Sequence, residues 1–304
     1  MRLYQKEYGP VTMDRTAANP ASPAMEQSRA GGHNYEAPHA RGRSGSEAQQ
    51  RRAELPGSER GAAGRSGGGH SAPGAAAQHA DGSSAAGRRR VLVVVAVDAE
   101  KDAVARGLGG DSRFDVIAAG VGPVEAAVSA TAALAAATPH RYGVVVSAGI
   151  GGGFPGRAAV GSLVVASEAV AADLGAETPD GFSGLDKLGF GANRLPVDKQ
   201  LAGELLAALR AAGLAAHSGP ALTLSTVTGT AATASELAER IPGAASEGME
   251  GYGVAAAASR YGLSFLEIRA ISNAVGPRDR SAWRIGDALQ ALEAASAVLK
   301  EVIR

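Results

Sequence analysis

The sequence predicts an α/β domain over residues 91–304, preceded by a disordered low-complexity tail over residues 1–90. Three observations carry this reading. The texture of the chain changes near residue 90, from Gly, Ser, Ala, Arg, His and Gln to large apolar residues. Beyond that point, short apolar runs rich in β-branched residues recur, as strands covered on both faces require. Between them lie segments with helical spacing, closed by Gly or Pro.

The tail comes first. "GAAGRSGGGHSAPGAAAQHADGSSAAG" cannot bury enough apolar surface to offset its ordering entropy. Residues 1–90 carry 13 basic and 8 acidic side chains, and residues 91–304 carry 17 and 22, so a net charge of zero hides a mildly acidic domain. That balance argues against nucleic acid as the main partner.

Residues 91–97, "VLVVVAV", read as the first strand. The run is too short to span a bilayer, and Asp98 and Glu100 close it. "FDVIAAG" (114–120) is the second strand. "GPVEAAVSATAALAAATP" is a helix, with Pro123 in its first turn and Pro139 past its end. "YGVVVSAG" (142–149) is a third strand ending in a Gly-rich loop, and "GSLVVASEAV" (161–170) a fourth. In "DKQLAGELLAALRAAG" (198–213), Leu201, Leu205 and Leu209 form one stripe and Gly213 is the stop. "ALTLSTV" (221–227) is strand-like, "MEGYGVAAAASRYG" (249–262) a helix, "SFLEIRAIS" (264–272) the last strong strand, and "DALQALEAASAVLKEVIR" the closing helix. In such α/β domains ligands collect at the carboxyl ends of the strands.

Four stretches near those ends carry candidate chemistry. In "AVDAE", Glu100 suits acid/base work if a pocket shields it, or a solvated helix start if none does. "SAGIGGGFPG", with Gly149, Ile150 and Gly151, is a tight loop or a binding loop; it lacks both the dinucleotide fingerprint and the P-loop Lys. In "EGMEGYG", Glu250 behind Met249 caps a helix or accepts hydrogen bonds from paired sugar hydroxyls. In "EIRAISN", Arg269 shares a strand face with Glu267, as a structural ion pair would, and Asn273 is a turn residue or a recognition amide. With no cysteine, and only His140 and His217 in the domain, no metal or thiolate site is expected and no cofactor is implied.

Taken in order, "AVDAE", "SAGIGGG", "GMEGYGVA" and "RAISN" resemble the purine nucleoside phosphorylase and nucleosidase family, from about Val91 to the end. "AADLGAETPDGFSGLDKLGFG", "TVTGTAATASELAERIPGA" and "RAISNAVGPRDRSAWRIGDAL" match its futalosine-cleaving members most specifically. The resemblance implies a three-layer α/β/α fold around a twisted mixed sheet, and hydrolysis of a purine N-ribosidic bond with water as nucleophile. It implies that Glu100 activates water, Arg269 orders the water region, Glu250 holds the ribose hydroxyls, Met249 packs on the sugar and Asn273 faces N7 of the purine. It also implies a homo-oligomer acting on a small nucleoside, and the absence of cysteine fits a cytoplasmic protein. Phosphorolysis and release of adenine are the alternative reactions. Two departures stand out. Ile150 replaces a Ser of the nucleosidases, and "STVTGTAAT" lacks their base-stacking Phe, leaving Phe182, Phe190 or Trp283 for that contact.

A 6-oxopurine presents acceptors at O6 and N7, to which a neutral Asn amide donates without a shifted pKa, so Asn273 points to hypoxanthine. Futalosine carries a benzoate at its 5′ side. Arg278, Arg280 and Arg284, with Arg280 and Arg284 foremost, offer a fork for that carboxylate and Trp283 a wall for its ring; the other reading is that some of these arginines pair with Asp279 or Asp287 at the surface.

Overall fold

The computed structural model describes residues 90–303. The expected tail over 1–90 lies outside these residues, except that Arg90 opens the first strand. In chain order the elements are β1 (Arg90–Val95), α1 (Asp98–Leu108), β2 (Phe114–Ala118), α2 (Pro123–Ala136), β3 (Tyr142–Gly153) and β4 (Leu163–Ala171). A hairpin of β5 (Gly175–Thr178) and β6 (Gly181–Gly184) follows, then α3 (Leu185–Leu188), β7 (Arg194–Pro196), α4 (Lys199–Ala211) and β8 (Ala216–Thr223). The chain ends with α5 (Ala231–Arg240), β9 (Ser246–Gly248), α6 (Gly251–Arg260), β10 (Ser264–Ala274), a 3₁₀ turn (Arg280–Ala282) and α7 (Ile285–Val302).

The main sheet runs β10-β4-β8-β9-β3-β1-β2, with β7 on β4, and β10 also pairs with β3. That extra pairing closes β3, β10, β4, β8 and β9 into a ring, from which β1 and β2 extend. Pairing is parallel for β1–β2, β1–β3, β3–β10, β4–β8 and β8–β9, and antiparallel for β10–β4, β3–β9 and β4–β7. The sheet is therefore mixed, as expected. Two helix groups flank it: α1 packs on α7 and α7 on α4, while α2 packs on α6.

The elements form for local reasons. Val91 to Val95 are all buried, so β1 needs no polar alternation. Pro123 starts α2, where a missing N–H is harmless. The Asp198 carboxylate accepts from Leu201 N and caps α4, and Thr230 does the same for α5 through Thr233 N. Leu205 and Leu209 are fully buried, as their spacing requires, while Leu201 packs at the edge of the core.

Several boundaries differ from the sequence reading. The "SAGIGGG" stretch is not a loop, because β3 continues to Gly153. Its glycines let β9 and β10 lie close on either side, with Gly152 facing Glu247 and Asn273 in register. β10 likewise runs to Ala274, so Asn273 lies inside the strand and not past it. β8 ends at Thr223, and "LSTV" forms the loop after it. α1, α5, β9 and the β5–β6 hairpin have no apolar run long enough to read in advance.

Candidate active site

The ring of strands brings four ionisable side chains together in a dry setting. Glu100, Glu250, Glu267 and Arg269 are 4%, 7%, 1% and 1% exposed. Glu100 stands in the first turn of α1. Its Oε2 accepts from Ala96 N (2.9 Å) and Val97 N (3.3 Å), and its Oε1 accepts from Ile150 N (2.9 Å). It does start the helix, but it is buried, so the solvated helix start is ruled out. Burial pushes its pKa up; the hydrogen bond from Ile150 and the Arg269 charge oppose this, and Glu250 adds to the rise.

Glu250 occupies the cap position of α6 without making a cap hydrogen bond. Its Oε1 accepts from Gly122 N (3.2 Å), its Oε2 accepts from Met249 N (3.3 Å), and Oε2 lies 3.6 Å from Arg269 Nη1. Of the two roles open to Glu250, the capping one is not made by its side chain. Met249 is half-buried beside it.

Glu267 and Arg269 lie two apart on β10, in register with Ser147 and Gly149 of β3, so all four share one face. Arg269 Nε donates to Glu267 Oε1 (2.9 Å), and Nη2 donates to Ser147 Oγ (2.8 Å). The expected ion pair exists, and the same arginine also lies within ion-pair distance of Glu250. Gly149 makes this possible: a Cβ there would fall 2.7 Å from Arg269 Nη1 and 2.8 Å from Glu100 Oε1. Gly151 instead makes room for β9: a Cβ there would fall 2.6 Å from the Glu247 carbonyl oxygen. Sequence reasoning gave Ser147 no role; a lone hydroxyl inside "YGVVVSAG" was the available signal.

Asn273 is half-buried. Its Oδ1 accepts from Ser272 Oγ (2.8 Å) and its Nδ2 donates to Ala274 O (3.0 Å). The loop after β10 is pinned at both ends by its backbone: Arg278 N donates to Gly229 O (3.2 Å) and Arg284 N to Ser272 O (2.8 Å). Within it, the Arg278 and Arg280 guanidinium carbons lie 5.2 and 5.9 Å from the Trp283 ring centre. Arg284 pairs with Asp287 at an exposed site, and Asp279 accepts from Ser281. Phe182 lies apart from this group, its ring 3.9 Å under the Arg240 guanidinium of α5, and Phe190 is 78% exposed.

A second buried carboxylate escaped notice in "EGMEGYG". Glu247 Oε1 accepts from Thr228 N (2.9 Å) and Oε2 accepts from Thr228 Oγ1 (2.5 Å), so β9 holds the loop that follows β8. Burial raises its pKa, against the two Thr228 hydrogen bonds. A cavity of about 330 Å³, lined by Phe154, Ala234, Val275 and Pro277 among others, holds none of these carboxylates. No group of His, Asp or Glu among the described residues could hold a metal ion.

The family model described as "Phosphorylase superfamily" matches residues 100–304, and the chain belongs to that superfamily. Within it, the chain is 52% identical over 231 residues to the futalosine hydrolase of Streptomyces coelicolor, covering 70% of this chain and 96% of that one. It is 46% identical over 221 residues to the futalosine hydrolase of Acidothermus cellulolyticus, covering 68% and 89%. These relatives place it in the futalosine hydrolase branch. In fold it is similar to the futalosine hydrolase of Helicobacter pylori strain 26695, with TM-score 0.59 at 15% identity, over 71% of this chain and 97% of that one.

Proposed function

We propose that this chain hydrolyses the N-ribosidic bond of futalosine, releasing hypoxanthine and dehypoxanthine futalosine on the route to menaquinone. The buried Glu100–Arg269–Glu250 cluster carries the reading, together with the identity to named futalosine hydrolases. The N9–C1′ bond breaks with its electron pair going to the purine, and the ribose becomes oxocarbenium-like. Asn273 stabilises the leaving 6-oxopurine by hydrogen bonding at N7 or O6, and the purine takes its proton from solvent. Glu250 holds the 2′- and 3′-hydroxyls and Met249 packs on the sugar. Water attacks C1′ and gives its proton to Glu100, whose pKa is raised by burial and suits a base. Arg269 orders the water region from its place between the carboxylates.

Arg280 and Trp283 receive the benzoate end, supported by the pinning of their loop to Ser272, next to Asn273. Arg284 is a weaker donor there, since Asp287 already engages it. The catalytic unit is residues 91–304, with 1–90 appended to it. It works in the cytoplasm as a homo-oligomer; no helix among the described residues is long and apolar enough to cross a membrane. Futalosine, its 6-amino analogue, inosine and methylthioadenosine, each with and without phosphate, test the reading. Phosphate-independent release of hypoxanthine from futalosine alone is expected. A phosphate requirement would make the enzyme a phosphorylase, and release of adenine in preference would overturn the Asn273 assignment.

A further inference from the structure

We propose that Glu267 is a positioning residue: it grips Arg269 at Nε and so keeps the guanidinium from pairing directly with Glu100. This deepens the hydrolytic reading and rests on it. Arg269 has three nitrogens, and two are already committed. Nε is bound by Glu267 Oε1 at 2.9 Å and Nη2 by Ser147 Oγ at 2.8 Å. Only Nη1 faces the gap above Gly149, which Glu100 Oε1 shares. Both atoms border the space a Cβ at 149 would fill, yet the ion pairs of Arg269 among the described residues are with Glu267 and Glu250, not Glu100. Opposite charges so close in a dry site attract strongly, so a restraint is needed to hold them unpaired.

The arrangement around Glu267 supplies that restraint. The side chain is 1% exposed, and its Oε2 has no hydrogen-bond partner. Such an oxygen is costly to bury. Gly251, first residue of α6, leaves just enough room for it: a Cβ at 251 would lie 2.2 and 2.4 Å from the two carboxylate oxygens. A helix start is thus fitted around an acid whose one strong contact is Arg269. The ionisable groups facing the cluster are Glu100 from α1, Glu250 before α6, and Glu267 and Arg269 from β10. If Glu267 holds Arg269 back, Glu100 keeps the basicity that proton removal from water needs.

Glu267→Gln in the full chain keeps the shape and an oxygen for Nε but removes the charge. The guanidinium is then free to turn toward Glu100. The kcat for hypoxanthine release should fall about tenfold, with KM within about twofold of wild type. The acidic limb of kcat against pH should move to lower pH, because Glu100 becomes the more acidic partner of a closer cation. Ser147→Ala, which frees Nη2, should move the limb the same way by less. Folded variants whose acidic limbs coincide with wild type would overturn the proposal, and Ser147→Ala decides alone if Glu267→Gln does not fold. Wild-type protein that releases no base would reject the hydrolytic reading instead. Carbon-13 NMR titration of the glutamate carboxyls then still decides, since an unchanged Glu100 midpoint in the variants rejects the restraint.

Discussion

Gly251 stands where α6 meets the Glu267 carboxylate, and no other residue type fits there. An added Cβ would overlap both oxygens, and neither a fully buried acid nor a helix start can retreat cheaply. Gly251→Ala is expected to destabilise the fold by about 1–3 kcal/mol in urea melts, as overpacking in a filled interior does. Because the displaced group is Glu267, kcat per folded molecule should fall as well. A variant of wild-type stability and rate would show that the gap above Glu267 is not tight. Asn273 gives a second test at this scale. Its amide donates at present to Ala274 O, a bond it can exchange for the purine. Asn273→Ala should lower kcat by a factor of about 10² to 10³, the usual effect of removing one such donor.

Among the elements, β1, β2 and β3 are knitted at one end by Asp115. Its carboxylate accepts from Arg90 (3.0 Å), Arg141 (3.1 Å) and Tyr142 Oη (2.9 Å). Burial pushes the Asp115 pKa up, but the hydrogen bonds from Arg90, Tyr142 and Arg141 outweigh it and leave it below the ordinary value of 3.8. A depressed acid favours the folded state above its unfolded pKa, and that contribution disappears as pH falls through the folded one. Asp115→Asn should therefore lower Tm at pH 7 and make stability flatter below about pH 4 than in wild type. A Tm loss equal at pH 3 and pH 7 would assign the effect to packing instead. The same strands show what a sequence discloses about elements. β1 and the start of β3 were legible because each is covered on both faces and apolar without interruption, and β10 because apolar residues surround its buried Glu267 and Arg269. The end of β3 was not, because seven residues from Ser147 to Gly153 include four glycines, which read as a loop. Their purpose is the close approach of β9 and β10, a relation between distant segments that local pattern cannot hold. β9 is three residues long, and its pairing with β3 and β8 is what makes it a strand.

Over the whole molecule, the carboxylates and arginine of the site were legible from their order along the chain, while their convergence on Arg269 required the closed ring of strands. The loops proposed to meet the far end of the nucleoside were the least legible, since Phe182 turns to Arg240 through a contact made only on folding and the pairing of Arg284 with Asp287 was one of two open readings. One surface remains to be accounted for. Val124 and Val128 lie one turn apart on α2 and are 71% and 61% exposed, with Val121 at 39% just before the helix. α2 carries a single charge, Glu125, in fourteen residues, so this face has little to offer water. It suits the isologous contact of a two-fold homodimer, in which each α2 stripe meets its counterpart. The same helix begins beside Gly122, whose N–H donates to Glu250, so the contact would steady a ligand of the sugar. Val124→Glu with Val128→Glu places like charges across that axis without touching the core. If the proposed homo-oligomer forms through this face, the double variant should sediment as a monomer at micromolar concentration and wild type as a dimer. Its KM for futalosine should rise more than its kcat falls, as expected when Glu250 loses its support. An unchanged sedimentation coefficient would place the oligomer contact elsewhere.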